Sequence, residues 1–354
     1  MSELGLAEVC DLVASPWAHE ELRAPDGTPL VTVDVASWPT PPAPEVMTAA
    51  AERLRSLPVV TVAVIHDDPP LAYEPLLRAF DIVVAPPDVE SPAAVDHLDV
   101  AAATEAVASA VRANPQAAVS MVQLSRLSEA STVPDALVAE SLTYSMLQAG
   151  PEFAAWLGAS ARAAADTEPG DPVVVTRDGS VLRVTLDRPH RRNAYSAAMR
   201  DQLVAGLRLA GADPSIEGVL IDGNGPAFCA GGDLAEFGTS PDPSSGHLIR
   251  TTRSAAYWLD RLRRNTRVRV HGACVGAGVE LPAFAAAIVA DPGATFRLPE
   301  VSMGLVPGAG GTASIPRRIG RQRADWLAIT GAGIDAPTAK RWGLVDRVEP
   351  RQRR

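Results

Sequence analysis

Cysteine is scarce. Cys10, Cys229 and Cys274 are the only three in 354 residues, too few and too scattered for a disulfide framework or a zinc site. That usage fits a reducing cytoplasm. The six histidines show no metal-ligand spacing, so no metal is expected. Basic charge is short as well. Thirty-two basic residues against 42 acidic ones leave a net charge of −10, which argues against nucleic acid or an anionic membrane as partner. The local exception is Arg261 to Arg269 (RLRRNTRVR), which reads as a solvated helix end and strand edge, with a phosphate-binding patch as the alternative. Long hydrophobic runs are missing too. The most apolar window, Cys274 to Ala290, is broken by Glu280 and Pro282 and is too short for a membrane span. The opening MSELGLAEVC has no basic n-region, so no signal peptide is expected. The chain reads as soluble and cytoplasmic.

What is present is a large core. Apolar residues make up 47% and charged residues 21%, and the length predicts two domains. In the first part, Leu30 to Val35 and Val59 to Ile65 read as strands, Val46 to Leu57 and Leu71 to Phe80 as helices, and Ile82 to Ala85 as another strand. Strands alternating with helices point to a layered α/β unit. Ala-rich runs at helical spacing follow: Ala101 to Ala113, Ala117 to Leu127, Asp135 to Gln148 and Pro151 to Ala165. After a TEPGDP linker come two strands around Asp178-Gly179, then a helix (Ala197 to Ala210) and a strand (Gly218 to Ile221). A glycine loop, Gly223 to Gly232, leads to Asp233, read as the N-cap of a following helix. Ile249 to Arg263 is expected as one helix and Val268 to Val270 as a strand.

The chain is organised around His271 to Thr312. A Gly-rich turn (Gly272 to Gly278) runs into an apolar segment carrying one acid, Glu280; a second acid, Glu300, precedes a second glycine cluster, Gly308 to Gly311. Two lone carboxylates in apolar sequence, each beside a glycine loop, predict a dry pocket with two proton-transfer groups. Glycine lets a ligand approach backbone N–H groups, which can bind a developing oxyanion. A carboxyl in apolar surroundings resists ionisation, which raises its pKa toward the useful range.

LDRPHRRNAYSAAM, GPAFCAGGDLAEF, HGACVGAGVEL, FRLPEVSMGLVPGAGGT and ITGAGIDAPTAKRWGLVDRVEP stand in the order and spacing of the crotonase (enoyl-CoA hydratase/isomerase) superfamily. The resemblance covers about 173–350, and five motifs in register make it specific. It implies an α/β fold with a crotonase-like ββα spiral core. It also implies an acyl-CoA substrate, with coenzyme A entering as part of that substrate and no separate cofactor, and a homo-oligomer (trimer or hexamer). By the same resemblance the thioester oxygen lies between the N–H groups of Gly232 and Ala277, the latter where many members carry Gly. Ala230 matches the residue whose carbonyl meets the adenine of CoA. Gly231, Asp233, Arg191 and Arg192 fall around the CoA approach. Glu280 matches the base that activates water, Glu300 the acid that protonates the α-carbon, and Gly308 a backbone donor beside the water.

The sequence departs from the family pattern at several points. Arg297 and Leu298 stand where hydratases often carry Gly and Gln, Ala286 replaces a common Asp, and Pro282 follows Glu280. The second part looks shortened after GLVDRVEP, whereas 104–157 resembles the family's C-terminal helices. Residues 1–165 are therefore expected to be a degenerate crotonase-like α/β and helical half ending in tail-type helices, 166–172 a linker, and 173–354 the core. Tyr144 and Trp156 read as core residues. The leading expectation is an enoyl-CoA hydratase. Double-bond isomerisation or other crotonase-type chemistry is the alternative, and a non-catalytic acyl-CoA-binding assembly protein is the third reading.

Overall fold

The computed structural model describes Val13, Ser15 and residues 17–21, 29–36, 40–41, 43–92, 94–160 and 170–351. The apolar run of β2 (Val60–Ile65) is buried along its whole length, as a parallel strand covered on both faces must be. It pairs in parallel with β1 (Leu30–Val35) and β3 (Ile82–Ala85), and β4 (Val95–Asp96) completes the order β1-β2-β3-β4. The two faces of this sheet enter different cores. Val33, Ala63, Ile65 and Val83 pack under α1 (Pro44–Ser56), whose Met47, Ala50, Ala51 and Leu54 repeat at helical spacing. Val60, Val62, Ile82 and Val84 belong to the core that continues into the second half of the chain.

Four helices follow: α2 (Val100–Ala113), α3 (Pro115–Ala130), α4 (Val133–Gln148) and α5 (Pro151–Ala159). Asp99 caps the first by accepting from Ala102 N at 2.9 Å, and Thr132 caps the third. The helix expected to reach Ala165 ends at Ala159, because Ser160 turns to extended backbone (φ −83°, ψ 133°); the expected linker before Gly170 lies outside the described residues.

The second half is a ββα spiral. β5 (Val173–Asp178) and β6 (Val181–Leu186) form an antiparallel hairpin, followed by α6 (Ala197–Ala212) and β7 (Gly218–Gly223). Then come α7 (Pro243–Thr252), α8 (Ala255–Arg261), β8 (Thr266–Val270), β9 (Ala273–Val275), α9 (Ala277–Glu280), β10 (Ala287–Ala290) and β11 (Thr295–Arg297). The chain continues through α10 (Gly311–Ser314), α11 (Pro316–Ile319), α12 (Arg321–Thr330), β12 (Ile334–Asp335), α13 (Ala336–Trp342) and β13 (Arg347–Val348). Strands alternate between two sheets: β8, β10 and β13 join the six-stranded sheet β13-β10-β8-β7-β6-β5, while β9, β11 and β12 form the small one. The chain passes between the sheets at Gly272, from β8 to β9, and through Gly276 and Gly278, from β9 to β10, whereas the Gly308–Gly311 loop joins β11 and β12 within the small sheet.

Two local expectations are corrected. No helix follows Asp233; residues 234–238 are turns, and Asp233 Oδ1 accepts from Ala235 N at 3.1 Å in a local loop bond. The helix expected over 249–263 is two, because Ser254 starts a new one by accepting from Tyr257 N at 3.1 Å.

The halves meet through α12, which packs on α2, α3 and β3. Arg321 of α12 reaches Asp81 at 2.9 Å, and Arg126 of α3 reaches the same carboxylate at 2.5 Å. Thr61 N and Oγ1 also donate to Asp81. Despite full burial, the two guanidiniums hold the Asp81 carboxyl below its ordinary range. No helix among the described residues is long and apolar enough to cross a membrane.

Candidate active site

The segment Cys229–Asp233 lies beside Cys274–Ala277. Val275 N donates to Cys229 O at 2.9 Å, and a Cβ built on Gly231 would touch the Val275 carbonyl at 3.4 Å. Tyr195 N donates to Gly231 O at 2.7 Å and Asp233 N donates to Tyr195 O at 3.1 Å. In such a parallel bridge the intervening residue, Gly232, turns its own N–H away from Tyr195. Among the described residues, neither the Gly232 nor the Ala277 N–H donates to a protein acceptor. Ala277 opens α9, where first-turn N–H groups have no helical partner.

The loop carrying Arg191 and Arg192 is docked on this segment. Ala230 N donates to Arg192 O at 3.0 Å, and Arg192 and Asn193 both adopt positive φ (52° and 54°). The buried Asn193 side chain pins that conformation, accepting from Arg188 N and donating to the Asn224 and Ala227 carbonyls. Asp233 is itself buried and pairs with Arg188 at 2.9 Å, with Arg191 at 3.8 Å.

The two predicted acids both bear on the Gly276 turn: Glu280 N donates to Gly276 O at 2.9 Å, and the Glu300 carboxyl lies against Gly276. Glu280, at the end of α9, is 2% exposed. Its Oε2 accepts from both Ala309 N (2.7 Å) and Gly311 N (2.9 Å), which leaves Oε1 without a protein donor. Burial pushes its carboxyl up to about 7, the two amides pulling the other way. Glu300 opens the 3-10 turn Glu300–Met303. Its carboxyl lies over Gly276, where φ is +48° and a Cβ would collide with Oε1, so only glycine fits. Its Oε2 is buried with no partner. Burial first, then the charge of Glu280, raises the Glu300 carboxyl well above its ordinary value.

A third acid, which the sequence reading missed, joins them. Glu140 of α4, 3% exposed, accepts from Gly310 N (2.7 Å), Thr312 N (3.0 Å) and Thr312 Oγ1 (2.6 Å). Burial and then the Glu280 charge push its carboxyl up to about 8. One signal was available: Glu140 stands on the stripe Ala136, Glu140, Tyr144, Leu147, a lone acid on the apolar face of a helix. Tyr144, read as a core residue, is partly buried and lays its ring on Gly308, where a Cβ would fall 2.5 Å from Cδ2. Trp156 stacks with Phe153 and meets Phe237 edge-on.

Of the three acids, Glu140 lines a cavity of about 340 Å³, together with Leu137, Tyr195, Arg250, Leu281 and the Gly308–Gly310 loop. No group of three or more His, Cys, Asp or Glu side chains suited to a metal occurs among the described residues.

Residues 176–353 match the family model described as enoyl-CoA hydratase/isomerase. The chain is 36% identical over 179 residues to the 2,3-dehydroadipyl-CoA hydratase of Escherichia coli K12, covering 50% of this chain and 69% of that one. It is 37% identical over 176 residues to a probable enoyl-CoA hydratase of Mycobacterium tuberculosis, covering 49% and 68%. An enoyl-CoA isomerase/hydratase of Mycosarcoma maydis is 33% identical over 200 residues, covering 54% and 72%.

Proposed function

The chain belongs to the enoyl-CoA hydratase/isomerase family, and on that premise we propose that it adds water to a 2-enoyl-CoA thioester. The observation that carries the reading is the state of the two acids. Glu280 is held by two main-chain amides through one oxygen, with its other oxygen unclaimed, while the raised Glu300 has a partnerless Oε2.

In the proposed reaction the unclaimed Oε1 of Glu280 takes a proton from water as the hydroxide oxygen bonds to the β-carbon. The C=C electron pair moves to the thioester oxygen, where the free N–H groups of Gly232 and Ala277 meet the enolate charge. The protonated Glu300 then gives its proton to the α-carbon. One such N–H is worth roughly 3–4 kcal/mol in the transition state, and each placed acid or base a factor of about 10²–10⁴. Ala230, Gly231, Asp233, Arg191 and Arg192 are assigned to the CoA moiety and Gly308 to the water side. The 340 Å³ cavity is assigned to the acyl chain.

We also propose that α2–α5 close this site within the same chain, since Glu140 and Tyr144 bear on its glycine loop. The test is the fall in conjugated-thioester absorbance on mixing with crotonyl-CoA. Turnover of a 3-enoyl-CoA alone would replace hydration by isomerisation, and binding without turnover would leave an acyl-CoA-binding protein.

A further inference from the structure

Four successive amides, Ala309 to Thr312, are shared alternately between two buried carboxylates. Ala309 and Gly311 donate to Glu280, Gly310 and Thr312 to Glu140. Gly310 makes the alternation possible: its φ of +104° aims its N–H opposite to its neighbours, and a Cβ there would strike Ala256 and Phe284 at 2.7 Å. The two acids thus grip one strand of main chain from opposite sides, and where one carboxylate sits fixes where the other can. Glu140 stands on a helix that is itself anchored. Arg250 caps the Tyr144 ring at 4.6 Å and bonds the Ser141 and Ser145 hydroxyls, tying α4 to α7.

We propose that Glu140 is a positioning residue for Glu280, acting through the Ala309–Thr312 main chain. This rests on the reading of Glu280 as the base, and a displacement of about 1 Å in such a group costs on the order of 10²-fold in rate. The chemistry of the two grips differs in a way that variants can use. Glu280 accepts both amides on one oxygen, so a glutamine carbonyl can replace it. Glu140 accepts on both oxygens, so in Glu140→Gln the amide nitrogen must face a donor, and the grip is broken without removing volume.

The experiment is a double-mutant cycle with amide exchange read by NMR on the full chain. Glu140→Gln is expected to lower kcat on crotonyl-CoA by about 10²-fold with KM within about twofold. In the Glu280→Gln background it is expected to cost nothing further, since a positioning residue acts only through the group it places. An equal loss in both backgrounds, or a wild-type kcat in the single variant, would overturn the proposal. Exchange gives an answer even if the protein turns over no enoyl-CoA. Glu140→Gln is expected to accelerate Ala309 and Gly311 along with Gly310 and Thr312; acceleration confined to the latter two would sink the idea. Should Glu140→Gln not fold, Thr312→Val removes only the hydroxyl bond. It is expected to show the same pattern at about tenfold in kcat; no change in kcat or in Ala309 and Gly311 exchange would count against the proposal.

Discussion

Two groups of buried carboxylates divide this molecule, and they are stabilised by opposite means. At the joint between the halves, Asp81 is faced by the guanidiniums of Arg126 and Arg321 and stays ionised. At the candidate site no cation holds Glu280 or Glu140: Glu280 is held by main-chain amides, Glu140 by main-chain amides and the Thr312 hydroxyl, and Glu300 has no partner for Oε2. Burial is similar in both places; what differs is compensation. A full cation beside a carboxylate fixes its charge and makes it structural. Amide dipoles orient a carboxylate while leaving its proton affinity near neutral, which suits a group that must take and give a proton. The joint is not uniform: Asp325, 3.4 Å from Arg321 and bonded to the Ser125 hydroxyl, is raised by burial.

The severest way to break the comparison is to remove the joint. A fragment beginning at Asp171 would leave Arg321 buried-side outward with no Asp81 and strip Glu140 from its loop. It is expected to be insoluble or inactive, and a stable, fully active 171–354 fragment would refute the dependence of the site on the first half. Next comes Asp81→Asn, which faces two buried arginines with a neutral group. A loss of about 3–5 kcal/mol is expected in the denaturant midpoint, the cost of breaking a buried pair from one side. At the amide-held site the effect should move from stability to rate. Glu280→Gln and Glu300→Gln are each expected to lower kcat by about 10²–10⁴-fold. At pH 7 their unfolding free energies should stay within about 1 kcal/mol of wild type, and CoA affinity should be nearly intact.

The smallest effect is in pH, and there the two clusters carry opposite signs. Glu280, raised to about 7, contributes stability that is fully present below its ordinary value of 4.5 and is lost as pH rises through 7. Asp81, lowered, contributes stability present above 3.8 and lost as pH falls through its depressed value. The stability difference between wild type and Glu280→Gln should therefore shrink as pH rises from 4.5 to 7, by at most about 3 kcal/mol at about 1.4 kcal/mol per unit. Over the same range kcat should climb as the base ionises; a flat profile would remove Glu280 from that role.

Much of this was legible from local pattern. The strands Leu30–Val35 and Val60–Ile65 and the Ala-rich helices follow from periodicity, and Gly276 and Gly310 mark turns that no other residue tolerates. Glu280 and Glu300 stood out because each was a lone acid in apolar sequence beside glycine. Asp233 was misread as a cap, because its partner Arg188 lies 45 residues away and no helix follows. Glu140 was passed over because a single acid in an amphipathic helix ordinarily faces water.

From the order of residues alone came the individual strands and helices, the glycine loops and the identity of two of the three buried acids, because periodicity and backbone conformation are local properties; the spiral core was what the family resemblance implied. Only the folded chain decided that α4 would cross 170 residues of sequence to set Glu140 against Gly310. It alone decided, too, which carboxylates would meet arginine and which would meet amides. Proton affinity depends on what lies within a few ångströms in space, and sequence spacing does not record that distance.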